Sequence, residues 1–378
     1  MTLRARRRLL YLLLCGTGLN HAHALFNFNQ GKDLVFVSAS YSIGWDSNVF
    51  TRAASQGAFS QSASASIDYS RQAGLIGVNV TASASSGSFA GIRGQDFFDP
   101  SISVAFRKRY GRTTGAWTTS ARHDSQPDPD VGERTKAWAY NSVLDVRYPI
   151  SDRFYLSNNL GYSGRFYTNN KSFSDLDSYS ESISANYVYT SKLDLNAGYS
   201  IRISQTSKNT TAYDQSLTVG ASGGILPKLT GLVNVGIQRR DSDSTLGHHE
   251  AFTSFTSATS LKWLFSRKIS FSGDLVEDFS TSATDISTNR LSAGLHGTAS
   301  LTSKFIGNAG VTYSITHFLG VAGEGRRDDL LQFDASLGLA LTTHIRLSLS
   351  FLYMINWSTL SSADFERESV TLTAIATY

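Results

Sequence analysis

Histidine and serine are the residues of this chain that could support metal binding or nucleophilic catalysis. His248 and His249 stand beside Glu250, but adjacent residues point apart and the pattern offers no third or fourth ligand. His296 would need a serine nucleophile nearby to act as a catalytic base, and serine is so frequent here that such a pair is expected by chance. We therefore predict no catalytic residues, no metal site and no cofactor, and we expect the chain not to be an enzyme.

A second candidate set consists of charged residues. They lie in segments where polar and apolar residues alternate, at the positions that the polar residues occupy. The basic members are Arg107, Arg147, Arg165, Arg202, Lys262 and Arg346, and the acidic members are Asp68, Asp145, Asp194, Asp274, Asp278 and Asp334. They could pair across strands and stiffen a wide barrel, or they could form a neutral, hydrogen-bonding track. Because a selective ion pore concentrates one sign of charge in a ring, the dispersed and nearly equal charges argue against a phosphate or cation channel.

The elements that would position these side chains are strands, because the chain alternates with a period of two from Val35 onward. The alternating runs last about 11 to 14 residues, whereas a globular strand has about five or six and a tilted membrane strand about 9 to 11. One face is built from Ser, Thr, Gly and Asn, which is typical of a water-filled lumen. The other is apolar, with aromatic residues near the strand ends that predict membrane-interface girdles: Trp138, Tyr148, Phe154, Phe166 and Trp357.

Short and longer connections alternate along the chain. Eight short turns and nine longer loops predict an all-β, transmembrane, antiparallel up-and-down barrel of about 18 strands, with 16 as the alternative. A soluble sandwich would show shorter strands, and a β-helix would show a fixed short repeat. No external loop exceeds roughly 13 residues. We therefore expect an open lumen without an inward-folded loop, which a partner would close from the periplasm.

The first 24 residues resemble a secretory signal peptide. Arg4, Arg6, Arg7 and Arg8 precede an apolar run, and Ala22-His23-Ala24 forms a small-x-small cleavage site. We predict a signal peptide over 1–24, a short periplasmic segment over 25–32 and a single barrel over 33–378. Those four arginines account for the whole net charge of +4. Cleavage would leave 30 basic and 30 acidic residues and no cysteine, so nothing indicates nucleic acid as a partner.

The remaining sequence resembles a known family. Its first-strand segment, Tyr41-Ser42-Ile43-Gly44-Trp45-Asp46-Ser47-Asn48-Val49-Phe50, has an aromatic, Asp-x-Asn, apolar order. The turns Thr190-Ser191-Lys192-Leu193 and Thr302-Ser303-Lys304-Phe305 precede the segments Asn196-Ala197-Gly198 and Asn308-Ala309-Gly310. On these features the chain resembles the putative beta-barrel porin family of exopolysaccharide biosynthesis and export operons in Gram-negative bacteria.

The resemblance implies an outer-membrane porin that exports a polysaccharide. Its partners would be outer-membrane lipid, the barrel assembly machinery, the polysaccharide substrate, a periplasmic export lipoprotein and an inner-membrane polymerase system. Asp46 and Asn48 could fix a turn by side-chain to backbone hydrogen bonds or contact a ligand. The terminal Tyr378 resembles the assembly signal of outer-membrane barrels. A general diffusion porin and a structural or adhesive outer-membrane barrel remain the alternatives.

Overall fold

The computed structural model describes residues 25–243, 249–323 and 325–378, so the predicted signal peptide lies outside the described residues. Within these ranges the chain folds into a closed antiparallel barrel of eighteen strands, β2 to β19, each paired with its neighbours in sequence. The barrel closes where β19 pairs with β2, from Ser369 opposite Asp46 to Thr377 opposite Ser38. The predicted all-β, up-and-down barrel of about 18 strands is confirmed.

A short strand β1 precedes the barrel. It pairs with the start of β2 through Phe26 opposite Val35 and Phe28 opposite Asp33. The strands are β1 Phe26–Phe28, β2 Asp33–Asp46, β3 Ala58–Arg71, β4 Ile76–Phe89, β5 Phe97–Lys108, β6 Thr114–Asp128, β7 Glu133–Pro149, β8 Phe154–Tyr167, β9 Leu176–Thr190, β10 Leu193–Thr206, β11 Thr211–Leu226, β12 Leu229–Asp243, β13 His249–Trp263, β14 Ile269–Thr281, β15 Ser287–Ser300, β16 Phe305–Phe318, β17 Arg327–Ala340, β18 Ile345–Ser358 and β19 Phe365–Thr377. Three single-turn 3₁₀ helices cover Asn29–Gly31, Val321–Gly323 and Ser361–Ala363.

Alternation along the strands separates an outer from an inner face. On β2 the side chains of Tyr41, Ile43 and Trp45 are exposed on the outside, where a barrel meets lipid. On the inner face, Ser38 Oγ lies 2.8 Å from Ser66 Oγ of β3, and similar hydroxyl pairs recur around the barrel. No helix among the described residues is long and apolar enough to cross a bilayer.

The two ends of the barrel differ in their connections. At the short-turn end, eight turns of two to five residues join the strands. At the long-loop end, the connections are longer on average, but several are shorter than predicted because the strands continue past the expected boundary. The connection between β6 and β7, for example, covers only residues 129–132, since the two strands stay paired as far as Asp128 opposite Glu133.

Candidate functional site

The wall of the barrel opens between β13 and β14 towards the long-loop end. Only seven residue pairs join these two strands, ending at Ser257 opposite Glu277, whereas β14 and β15 stay paired through thirteen positions up to Thr281 opposite Ser287. The tip of the β14–β15 hairpin (residues 278–290, the β14–β15 tip) therefore leaves β13. Its contacts show that it folds into the lumen.

Arg202 binds this tip. It lies on β10, four strands before β14 in the barrel wall. Its guanidinium donates to Asp278 Oδ2 at 2.8 Å and to the backbone carbonyl of Phe279 at 2.6 Å. The same guanidinium lies 2.7 Å from Asp214 on β11. Because β10 and β14 are not neighbours in the wall, these bonds can form only across the interior of the barrel.

Arg240 of β12 forms the second attachment and is the largest fully buried side chain among the described residues, with 1% of its surface exposed. It donates from Nε to Asp214 Oδ1 at 2.6 Å and from Nη2 to Oδ2 at 2.8 Å, which is the bidentate geometry that strengthens an arginine–carboxylate pair. Its Nη1 donates to the carbonyl of Ser280 at 2.6 Å. The Phe279 ring lies against the guanidinium, 5.5 Å from centroid to Cζ.

The far end of the β14–β15 tip contacts two connections at the long-loop end that lie three to six strands away around the wall. The backbone N–H of Ser174, in the β8–β9 loop, donates to the carbonyl of Ala283 at 2.7 Å. Thr210, in the β10–β11 connection, donates from its hydroxyl to Asp285 at 2.8 Å. The tip is thus held along its length by backbone and side-chain bonds.

A second hairpin folds inward from the opposite wall. Strand β6 leaves β5 after Arg122, where their pairing ends, and the β6–β7 hairpin continues as residues 123–136 (the β6–β7 tip). Arg165 of β8 donates to Asp124 at 3.2 Å and to Thr135 at 3.2 Å. Arg134 stacks its guanidinium on the Phe89 ring, 4.6 Å from its centroid.

The β6–β7 tip meets the β16–β17 loop across the mouth. Arg326 donates from Nη1 to the carbonyl of Asp130 at 3.0 Å and from Nη2 to Asp328, at the start of β17, at 2.6 Å. Desolvation by burial and the nearby Asp128 carboxylate raise the pKa of Asp130 to about 6. The ten-strand separation of the two partners shows that this contact crosses the barrel.

The expectation of an open mouth without an inward-folded loop is therefore wrong. Both inward segments are strand extensions of hairpins, so loop length could not reveal them. The largest fully buried side chains among the described residues all lie at this end of the barrel: Arg240, Phe279, Val49, Asn48, Thr51, Thr135 and Ser174. The most closely packed part of the molecule is thus the long-loop mouth.

The twelve candidate lumen residues occupy positions on the polar face of their strands. Among the described residues, the only ion pair that joins two members of this set is Arg202 with Asp278, at 2.8 Å and on non-adjacent strands, whereas Arg165 pairs with Asp124 outside the set. Asp68 accepts from Thr81 at 2.6 Å, and Asp194 accepts from Tyr155 at 2.7 Å. Their role in the lumen stays a prediction.

Three members of the set share a cavity at the short-turn end. Arg107, Asp145 and Arg147 line a cavity of about 560 Å³ with Ser157 and Asn159. The strand register explains the grouping, because Asp145 is opposite Asn159 and Arg147 is opposite Ser157. Lys262 and Arg346 lie near the same end on β13 and β18.

His296 lies on the inner face of β15, between two carboxylates, one on β14 and one on β17. Its Nε2 is 3.9 Å from Asp274 and its Nδ1 is 4.0 Å from Asp334. A Cβ on Gly310, opposite His296 on β16, would approach Nδ1 to 2.1 Å, so a glycine there makes room for the ring. No group of three or more His, Cys, Asp or Glu side chains in the described part of the chain is arranged to hold a metal ion.

The first-strand motif anchors the first external loop. The backbone N–H of Asn48 donates to Asp46 Oδ1 at 2.9 Å, and the Asn48 amide donates to the carbonyls of Arg52 at 2.8 Å and Glu366 at 3.1 Å. Asp46 also pairs with Arg367 of β19 at 2.6 Å. These bonds tie the loop to the strand seam that closes the barrel.

The terminal residue also lies at that seam. Tyr378 stacks on His344 with 4.9 Å between ring centroids, and its backbone exchanges two 2.8 Å hydrogen bonds with Val37. Its role as an assembly signal stays a prediction.

Sequence reasoning missed Asp214, Arg240, Asp130 and Arg326. Asp214 and Arg240 could have been found, because they share the polar phase of β11 and β12 with neighbours such as Ser216 and Gln238. Asp130 and Arg326 carry no comparable signal, since each belongs to a connection whose path the local pattern does not determine.

The comparisons with known proteins agree with this architecture. Residues 212–378 match the model of a family described as "Putative beta-barrel porin 2". The match confirms the porin-family resemblance. The chain therefore has the fold of an outer-membrane β-barrel porin.

Among solved structures, the copper transporter OprC aligns with a TM-score of 0.51 at 10% identity, covering 93% of this chain and 81% of its own. At that identity the likeness concerns the fold alone. OpdK of Pseudomonas aeruginosa, solved with vanillate, gives a TM-score of 0.49 at 11% identity, covering 91% of this chain and 99% of its own. No curated protein matches the chain.

Proposed function

We propose that this chain is a Gram-negative outer-membrane porin through which an exopolysaccharide leaves the cell, with a transport role rather than an enzymatic one. The observation that carries the proposal is the hydroxyl-lined inner face of an eighteen-stranded barrel. Ser40 and Ser64 pair at 2.8 Å, and Ser200 and Ser216 pair at 2.7 Å. Each hydroxyl keeps further hydrogen-bonding capacity, which suits a polymer rich in hydroxyl groups.

The two inward-folded hairpin tips indicate how such a pore would be closed. With the β14–β15 and β6–β7 tips docked, closure is built into the barrel at its long-loop end. A periplasmic export lipoprotein would then act at the opposite, short-turn end, by delivering polymer and by opening the mouth rather than by plugging it. Barrels of this strand number are wide enough for an aqueous channel.

A general diffusion porin is the second candidate, and the same tips favour it. A segment folded inward narrows the lumen and would turn the barrel into a sieve for small solutes. On that alternative the tips would stay docked while solutes pass beside them.

Deletion of the gene in its native bacterium separates the two functions. We expect loss of secreted polymer with unchanged uptake of small solutes, and recovery of the polymer when the wild-type chain is supplied from a plasmid. Unchanged polymer together with slower uptake of small solutes would instead establish the diffusion porin.

A further inference from the structure

The charges of the barrel are segregated along its axis. The eight short turns, each taken with three flanking strand residues on either side, contain fourteen Lys and Arg residues but only two Asp, Asp152 and Asp194. The nine connections at the long-loop end, taken in the same way, contain nine basic and seventeen acidic residues. Although the chain after residue 24 has equal numbers of basic and acidic residues, one end of the barrel carries an excess of positive charge and the other end an excess of negative charge.

With one exception, the positive charges at the short-turn end have no carboxylate partner among the described residues. Of the fourteen, only Arg71 lies within 4.0 Å of a carboxylate of the described residues, at 3.7 Å from Asp33. At the long-loop end, by contrast, Arg165, Arg240 and Arg367 all form ion pairs. Apart from Arg71, these guanidinium and ammonium groups form no ion pair with the described residues, and the one acid that lines the cavity with Arg107 and Arg147 is Asp145, which accepts a hydrogen bond from Asn159.

Four of these cations, Arg107, Arg147, Lys262 and Arg346, occupy inner-face positions. Arg147 lies over the Tyr155 ring, with its Cζ 3.6 Å from the ring centroid, and this contact holds the guanidinium beside the cavity that Arg147 lines. Ser157 and Asn159 line that cavity and provide hydrogen-bonding groups. Lipid headgroups contact the outside of a barrel, so the ligand of inner-face cations must enter the lumen.

We infer that the short-turn mouth is a binding site for an acidic polysaccharide, with Arg107 and Arg147 binding its carboxylates and Ser157 and Asn159 its hydroxyls. Guanidinium groups bind carboxylates through paired, charge-assisted hydrogen bonds. The inference rests on the proposed function and names its substrate class. The site would concentrate the polyanion at the periplasmic side of the pore.

The test measures binding of two fluorescently labelled hexasaccharides, hexagalacturonate and neutral maltohexaose, to the full chain in detergent. Fluorescence anisotropy is recorded at 50 mM and 300 mM NaCl. We expect the acidic hexamer to bind at least tenfold more tightly than the neutral one at low salt and to lose most of that advantage at high salt, because salt screens exposed charges.

The variant Arg107→Gln/Arg147→Gln is expected to weaken binding of the acidic hexamer at least tenfold. Its charge-matched control is Arg93→Gln/Arg239→Gln, which removes two exposed arginines at the long-loop end and should change binding less than twofold. Folding of both variants is checked by circular dichroism, and the salt dependence of the wild type tests the inference even if a variant does not fold.

Equal binding of the two hexamers, or equal weakening by both variants, would overturn the inference while leaving polysaccharide transport in place. If neither hexamer binds, both the inference and the proposed function lose their support.

Discussion

The two mouths of the barrel use arginine in opposite ways. At the long-loop mouth, Arg202 and Arg240 are paired with Asp214, and their remaining N–H groups bind the β14–β15 tip. At the short-turn mouth, Arg107 and Arg147 form no ion pair with any carboxylate in the described part of the chain. The same side chain thus holds an inward-folded hairpin in place at one end and lies without an ion pair to the described residues at the other. Whether one of these arginines has a structural or a binding role depends on whether it is paired with a carboxylate, and not on the residue type.

The largest expected effect comes from breaking the attachment at Arg240. In the variant Arg240→Gln, the buried carboxylate of Asp214 loses one of the two arginines that neutralise its charge. Removing one partner of a buried ion pair costs about 3 to 5 kcal/mol of folding free energy. We expect the β14–β15 tip to undock and the single-channel conductance in planar bilayers to rise. Arg239→Gln is the control, because the neighbouring Arg239 is exposed and, among the described residues, its side chain bonds only to Asp241. Equal conductance of Arg240→Gln and wild type would show that the tip does not limit the pore.

Asn48 tests whether the same end also holds the barrel seam. Asn48→Ala removes the amide bonds to Arg52 and Glu366 from a side chain with 0% exposure. Leaving buried backbone groups unpaired costs about 1 to 3 kcal/mol. The measurement is the urea midpoint in detergent, which should fall. Asn158→Ala, which removes an exposed bond to Glu181, should leave the midpoint near that of the wild type.

The pH dependence of the long-loop mouth follows from Asp130. Docked, this carboxyl faces Asp128, Asp328, Arg290 and Arg326, and its pKa is raised from 3.8 to about 6. The docked state therefore binds a proton more tightly than the undocked state. Its extra stability is complete below about pH 4 and is lost as the pH rises through 6.

Open probability in planar bilayers should therefore increase as the pH is raised from 5 to 7. The variant Asp130→Asn should abolish this change, since an amide does not titrate. An unchanged pH profile in Asp130→Asn would show that another group controls the mouth.

The smallest expected effect is at the short-turn mouth. Because Arg107 forms no ion pair with the residues that the structure describes, Arg107→Gln should change the free energy of unfolding by less than about 0.5 kcal/mol, as is usual for exposed positions. A urea titration measures this directly. A loss comparable to that of Arg240→Gln would remove the distinction between the two mouths.

The sequence predicted the wall of the barrel better than its mouth. Period-two alternation is local, so it identifies the polar face of β10, with Asp194 and Arg202, without knowledge of the neighbours. Phe279 shows where this reasoning ends. The alternation along β14 predicts that Phe279 faces the lipid, as Leu275 does, yet it is 1% exposed inside the barrel. The departure of β14 from β13 depends on Arg202 and Arg240, which lie far away in sequence, and no local pattern encodes that contact.

The segregation of charge also has an electrical consequence. A cylinder with excess positive charge at one end and excess negative charge at the other carries a permanent dipole along the membrane normal. Anions and cations therefore encounter different potentials at the two openings. Once the tips are undocked, the current through a single oriented barrel should differ in magnitude when the sign of the voltage is reversed, so the pore would behave as a rectifier.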